Sequence, residues 1–319
     1  MTVTTKSVGG ASRSAHRPAT TAPSLPPTTR KRRRSKAAYL YVLPAFLVFA
    51  IFLGWPFLQT LQYSFYNWDG LSAATWAGFA NYVSVLSDPV LRGAFGHALL
   101  LMVFYAAVPI AIALFLTALI SRANALRGMS AYRTLLFLPQ VIASVVVATI
   151  WVSIYSSGGL LNQALRLVGL GALARVWLGD YSLALPAIGF IGTWLNVGLC
   201  LVLFLAGVGN IQPTLFEAAR LDGAGPAREF FAITLPALRG QIAVALTLTV
   251  VSALKTFDLV YVTTAGGPGN TTSVPAFEAY NRAFTTGQVG SAAAVAIALT
   301  VVIMIVTALI NRLQPKDVA

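Results

Sequence analysis

The chain has 319 residues, of which 57% are hydrophobic and only 10% charged, yet its formal net charge is +13. Soluble domains average about 25% charged residues, so a soluble fold of this length would lack the side chains to cover its surface. One cysteine, Cys200, and two histidines far apart in sequence, His16 and His97, exclude a disulfide framework and argue against a cysteine or polyhistidine metal centre.

Residues 1–36 are rich in Ser, Thr, Pro and Arg, lack apolar periodicity, and are predicted to be disordered. Arg32, Arg33 and Arg34 faintly suggest an export signal. Five further apolar runs follow the first, however, and no small-residue cleavage pattern closes it, so the segment reads as an uncleaved anchor. A bilayer core of about 30 Å needs about 20 apolar residues in a helix. Six stretches qualify: 39–58, 98–120, 135–155, 183–208, 242–261 and 291–310. They are too long and too evenly apolar for barrel strands, which alternate over about ten residues. Pro109, Pro139 and Pro186 interrupt them, as membrane helices tolerate. The expected fold class is therefore all-α, a polytopic membrane protein with six transmembrane helices.

Basic residues near the spans set the orientation. Of the 22, 17 fall in the arm before the first span, the loops after the second and fourth, and the tail. Both termini are thus expected in the cytoplasm. Residues 1–36 form a basic cytoplasmic tail, 37–96 the first span and an external loop, 97–312 a five-span core, and 313–319 a second tail. Because the basic arm abuts a transmembrane helix, it reads as an orientation signal touching anionic membrane lipid, with no nucleic-acid partner. The outer loop 59–97 is dense in aromatic residues, including Tyr63, Trp68, Trp76 and Tyr82, and suits an interface belt or a packed cap, with a short helix over 81–86. Residues 156–182 are expected to hold another short external element.

The loop after the fourth span is unlike the others. Pro213 suits the first turn of a helix, where its missing N–H would be unpaired anyway. The good helix formers from Leu215 to Asp222 follow, and Gly223 supplies a left-handed stop. Gly225-Pro226 restarts a second helix expected to run to Pro236. The product is a helix–turn–helix outside the bilayer, with Glu217, Arg220 and Asp222 on a charged face and Leu215, Phe216, Ala219 and Phe230 on an apolar one. Such a knob suits a groove on a partner protein.

The full arrangement, Glu217-Ala218-Ala219, then Asp222-Gly223, then Ile233, Leu235 and Pro236 within 213–240, resembles the EAA loop of permease subunits in bacterial binding-protein-dependent ABC importers. Gly78-Phe79-Ala80-Asn81-Tyr82, Phe137-Leu138-Pro139, Gly159-Leu160-Leu161-Asn162 and Thr264-Ala265-Gly266-Gly267-Pro268 are similar to segments of the carbohydrate-type permeases related to the maltose and glycerol-phosphate systems. Two positions depart from that pattern: Gln212 stands between Ile211 and Pro213, and Phe216 occupies a place where Tyr is common. The resemblance implies the MetI-like permease fold and a place in the bacterial inner membrane. It also implies a second permease subunit in a heterodimer, two ABC ATPase subunits bound at the EAA loops, and an external or lipid-anchored solute-binding protein. No G-x-x-x-x-G-K-[ST] phosphate loop occurs. The chain is thus expected to be a transport subunit without enzymatic activity or cofactor of its own, with ATP and magnesium on the partner ATPases.

Carbohydrate sites combine hydroxyl-bonding side chains with aromatic platforms, which makes Trp194, Asn196, Ser252, Lys255 and Asp258 the candidate substrate path. Lys255 and Asp258, three apart, are expected on one helical face as a structural ion pair beside a water-filled mouth. Ser144, Thr193, Thr247 and Thr249 are among the other polar groups of these spans, and serines and threonines there commonly bond helix backbone. His97 reads as an ordinary interface residue. A secondary transporter or channel would need charged relays in several helices, a membrane enzyme a cluster of carboxylates or a nucleophile with its base. Neither pattern is present, and neither accounts for the EAA loop. Within the importer class, a permease for glycerol-phosphate, an amino acid or a peptide is the alternative to one for sugar.

Overall fold

The computed structural model describes residues 37–120 and 129–313. The basic segment 1–36, the loop residues Arg122 and Arg127, and the tail residue Lys316 lie outside the described residues. Two units are distinguished. In the first, which ends at Ala50, helix α1 (Ala37–Phe49) carries Pro44 and exposes its side chains from Tyr41 onward. The second, from Ile51 on, holds every other element.

That second unit opens with α2 (Trp55–Tyr63), a two-residue antiparallel hairpin pairing Tyr66 with Trp76, and α3 (Ala80–Ser87). Helices α4 (Pro89–Met102) and α5 (Val108–Ile120) follow, then α6 (Met129–Val141), α7 (Ser144–Tyr155), α8 (Leu160–Leu167) and α9 (Ala184–Val208). A short run of α10 (Pro213–Leu221), α11 (Pro226–Glu229) and α12 (Leu235–Ala237) leads into α13 (Arg239–Leu254). The chain ends in α14 (Asp258–Thr263), α15 (Pro275–Phe284) and α16 (Val289–Leu313). Among the described residues five helical stretches are long and apolar enough to cross a bilayer: Tyr41–Tyr63, Pro89–Ile120, Ser144–Leu167, Ala184–Val208 and Val289–Arg312. A sixth appears if Pro226–Ala237 and Arg239–Leu254, bent by 67°, count as one.

The core lies around α9, which packs against α5, α6 and α13. Small residues let neighbours come close. A Cβ on Gly198 would stand 2.2 Å from the carbonyl oxygen of Leu136 on α6, and one on Gly192 would enter the ring of Tyr105. Side-chain volume removed at the contact is what brings membrane helices together, since burial of apolar surface gives no advantage over lipid.

Four expectations are corrected. The third span does not run unbroken over 135–155, because α6 stops at Val141 and α7 starts at Ser144. Pro139 lies just upstream, where its ring and missing N–H disrupt the turn around it. The fifth span, expected over 242–261, breaks at residues 255–257. The outer loop is shorter than 59–97, because α2 reaches Tyr63 and α4 begins at Pro89, where Asp88 caps it by accepting from the Val90 N–H at 2.8 Å. The short helix expected over 81–86 is α3. The second arm of the helix–turn–helix also continues past Pro236 to Ala237. Proline is accommodated in a common way. The widened π turns at Ala50–Gly54, Val103–Ala107 and Phe230–Thr234 each end two residues before a proline, Pro56, Pro109 and Pro236. A proline clashes with the carbonyl four residues back, and in all three cases that carbonyl sits in the widened turn.

At the end of the spans remote from the 213–237 loop, Asp88 also pairs with Arg282 of α15, which donates in turn to Ser291 Oγ of α16 at 2.8 Å. Partial burial pushes the Asp88 carboxyl up, but the Val90 N–H and the Arg282 guanidinium outweigh it and hold the group below its ordinary value of 3.8. A lowered folded value stabilises above the ordinary carboxylate range, and that contribution is lost as pH falls through the lowered value. The melting-temperature advantage of the native protein over an Arg282→Gln variant is therefore expected to stay constant from pH 7 down to about 5 and to shrink below it. An advantage already gone at pH 6 would contradict this assignment.

Candidate functional site

The 213–237 loop is a bent arm held by backbone chemistry. Pro213 occupies the first turn of α10, as its missing N–H favours. The helix ends in a two-bond motif: the Gly223 N–H donates to Arg220 O at 3.1 Å and the Ala224 N–H to Ala219 O at 2.8 Å. That pairing needs a left-handed residue, and Gly223 has φ +75°. Arg220 Nε then donates to Glu229 Oε1 at 2.9 Å, tying α10 to α11. Glu229 is buried while Arg220 is mostly exposed, so the pair is worth under about 1 kcal/mol and chiefly fixes the angle.

Glu217, Ala218, Asp222 and Gly223 are exposed, and neither carboxylate bonds to a described residue. Ala219, Ile233, Leu235 and Pro236 are half-buried. On the expected apolar face Leu215 is exposed, while Phe216 and Phe230 are half-buried. Leu221 and Phe231, which sequence reasoning passed over, are 89% and 65% exposed. The loop thus presents two acids among large apolar side chains that no described residue covers.

The second feature is a cavity of about 560 Å³ where the two broken spans meet α9. Four of the five candidate path residues line it: Asn196, Ser252, Lys255 and Asp258. Trp194 does not. It packs edge-on against Trp151, ring centroids 5.7 Å apart, away from the cavity. Asn196 is buried and donates one amide hydrogen to Gly192 O at 2.8 Å. Asp258, at the start of α14, accepts from Ser144 Oγ at 2.5 Å, so a single bond joins the two breaks. Tyr105, Gln140, Thr256 and Phe257 complete the polar and aromatic lining, and Thr256 donates to the Tyr105 hydroxyl at 3.0 Å.

The expected Lys255–Asp258 ion pair is not formed. Lys255 caps the end of α13 and Asp258 begins the next helix, so they no longer share a face. Among the described residues Lys255 has no carboxylate partner. The backbone reading holds for the threonines: Thr247 and Thr249 bond to Ala243 O and Ala245 O of their own helix, and Thr193 to Phe104 O.

The family model described as "binding-protein-dependent transport system inner membrane component" matches residues 37–317. The chain belongs to this family. The probable ABC transporter permease protein YurN of Bacillus subtilis is 36% identical over 284 residues, covering 87% of this chain and 94% of its own. The diacetylchitobiose uptake system permease protein NgcF of Streptomyces coelicolor is 33% identical, covering 83% and 79%. Among solved structures, a chain of the bacterial alginate ABC transporter in complex with alginate pentasaccharide-bound periplasmic protein superposes with a TM-score of 0.73 at 25% identity, covering 88% of this chain and 94% of that one.

As a member of this transport family, the chain is a multi-pass membrane component, and the resemblance noted in the sequence is borne out at the level of family and fold. Sequence reasoning missed Glu229, Ser144 as the partner of Asp258, and the aromatic wall of Tyr105 and Phe257. For Glu229 the available signal was an acid nine residues after Arg220 across a glycine turn, which pairing of two short helices would bring together.

Proposed function

We propose that this permease is one half of the transmembrane pathway of an ATP-driven importer for a sugar or oligosaccharide, with both termini in the cytoplasm. The observation that carries the reading is the 213–237 arm, whose uncovered acids and apolar side chains surround a turn set by Gly223. Two ATPase subunits, which would hold the ATP and magnesium, bind such arms. Glu217 forms charge-assisted bonds to the ATPase, and Ala218 and Ala219 allow close helix approach. Nucleotide binding and hydrolysis then supply the free-energy difference that shifts the spans between inward-open and outward-open packings. A second, similar permease completes the pathway and an external binding protein delivers the solute.

For the solute, the mixture of hydrogen-bonding groups and the Tyr105 and Phe257 rings around the cavity suits a hydroxylated ring. The diacetylchitobiose and alginate systems among the similar proteins support the same class. Asn196, Ser252, Lys255 and Asp258 then line the path, and Trp194 stays outside it. A sugar bearing phosphate or carboxylate is the second reading, favoured by the Lys255 ammonium.

Purification from native membranes in mild detergent, with mass spectrometry of what accompanies the chain, is expected to yield an ATPase and a second permease. A single polypeptide transporting without ATP would overturn the proposal. In proteoliposomes of that complex, Asn196→Ala and Lys255→Met are expected to lower ATP-dependent sugar uptake about tenfold, equivalent to 1.4 kcal/mol, with Trp194→Phe near native. Unchanged uptake in the first two would remove the cavity from the path.

A further inference from the structure

Helix α3 is amphipathic in an unusual sense, because both of its faces avoid charge. Its inner face is fixed to the protein. Val85 is buried in one cluster with Leu91 of α4 and Ala294 and Val295 of α16, and Tyr82 donates to or accepts from Ser64 Oγ at 2.6 Å. Asn81 Nδ2 donates to the carbonyls of Ser64 and Tyr66 at 3.0 and 2.9 Å. The outer face carries Phe79, Val83 and Leu86, spaced as one helical stripe, and these are 71%, 62% and 75% exposed. Trp76, at the end of the hairpin, extends the stripe and is 68% exposed. From Gly70 to Ser87 the sequence has no charged residue.

The depth of this stripe follows from its seat on α16. Arg312 marks one headgroup level, where a cation at the end of a span belongs. Counting back about 20 residues, or about 30 Å, reaches Ala292. The α3 contacts at Ala294 and Val295 therefore lie just inside the opposite boundary of the hydrocarbon. Neighbouring surfaces at and below this level are already apolar and outward: Leu99 and Leu100 on α4, Val103 in the π turn after it, and Val301, Met304 and Ile305 on α16 are all exposed. The stripe continues that outward apolar surface.

We infer that α3 and Trp76 form an interfacial anchor, with Phe79, Val83 and Leu86 inserted at the acyl–headgroup boundary of the bilayer. Polar contacts on the inner face replace the cationic face that free-standing interfacial helices use, and Trp76 supplies the aromatic side chain such boundaries favour. The anchor fixes the starts of α16 and α4 against the membrane surface.

The test uses the protein with its co-purifying subunits, reconstituted in phosphatidylethanolamine–phosphatidylglycerol vesicles. Single nitroxide labels are placed at Phe79→Cys, Val83→Cys and Leu86→Cys, with Met304→Cys as a lipid-facing control and Asn210→Cys as a water-facing one. Cys200 is fully buried and stays unlabelled. Collision rates at the three α3 sites are expected to favour oxygen over a nickel chelate, with ratios between those of the two controls. A ratio favouring the chelate would place the face in water or against a soluble partner, and exclusion of both reagents would place it under a second membrane subunit. Either result overturns the inference. A mutation-free measurement stands beside it: vesicles containing a diazirine phospholipid are expected to cross-link the native chain within residues 76–87, and absence of adducts there would equally overturn it.

Discussion

A Gly198→Ala protein is expected to reach the membrane in reduced amount and to melt well below the native one in detergent. On an exposed helix the same change would stabilise by about 1 kcal/mol, because alanine loses less entropy. Here the new methyl would sit 2.2 Å from the Leu136 carbonyl oxygen and 2.9 Å from Phe137 Cα, both backbone atoms that no rotamer change can move. Relief requires α6 to withdraw from α9, which opens space along the whole contact. Overpacking of this kind costs about 1–3 kcal/mol, enough to reverse the sign. Gly209→Ala is the control. Its methyl would meet only the Ala206 and Leu205 carbonyl oxygens at 3.5 and 3.6 Å, ordinary van der Waals contact, so a small change is expected. Equal melting of the Gly198→Ala and native proteins would mean that α6 and α9 are not held at this distance.

The second large effect is expected at Gly223. Gly223→Asp should abolish uptake while leaving the amount of protein in the membrane normal. A Cβ at this position meets no described residue within 4 Å, so a clash with those residues is not the source of the damage. The backbone cost of φ +75° is about 1 kcal/mol, lower for Asp and Asn than for most residues. Gly223→Asn carries nearly the same conformational demand without the charge and is expected to retain a substantial share of uptake. Loss in both would assign the defect to the turn itself. Full activity of Gly223→Asp would mean that this arm does not transmit the work of the ATPases.

The spans could be read from the sequence because 20 apolar residues in a row admit few other solutions, and the 213–237 arm because its signals, Pro213, Gly223 and Gly225-Pro226, are local. The breaks inside the third and fifth spans were harder. Lys255-Thr256-Phe257 contains no glycine or proline, and what ends α13 there is tertiary, in part the bond from Thr256 to Tyr105, 151 residues away. With the helix assumed continuous, Lys255 and Asp258 fell on one face and became a pair. The structure separates them and gives Asp258 to Ser144. The division between Trp194 and Asn196 was within reach. Two residues advance a helix by about 200°, so the two could not face the same cavity. The proline-linked π turns were half legible: the prolines marked where the helices had to adapt, but not that they would widen instead of kinking.

On the proposed path, the two breaks act on whatever passes between them. Each helix end at the breaks leaves backbone groups that the helix itself cannot pair; turn bonds take up some of them, such as Ile142 N–H to Pro139 O and Thr256 N–H to Ala253 O, but neither α7 nor α14 has a side-chain cap at its start. Hydrocarbon cannot satisfy such groups, so solvent must hydrate this constriction whenever no cargo occupies it. An arriving molecule then exchanges with bound solvent instead of filling a void. One rich in donors and acceptors recovers the bonds that departing water gives up, and an oily one of equal size cannot. On that path, discrimination between cargo and lipid would begin with peptide groups left open by interrupted coils, before any particular side chain is consulted.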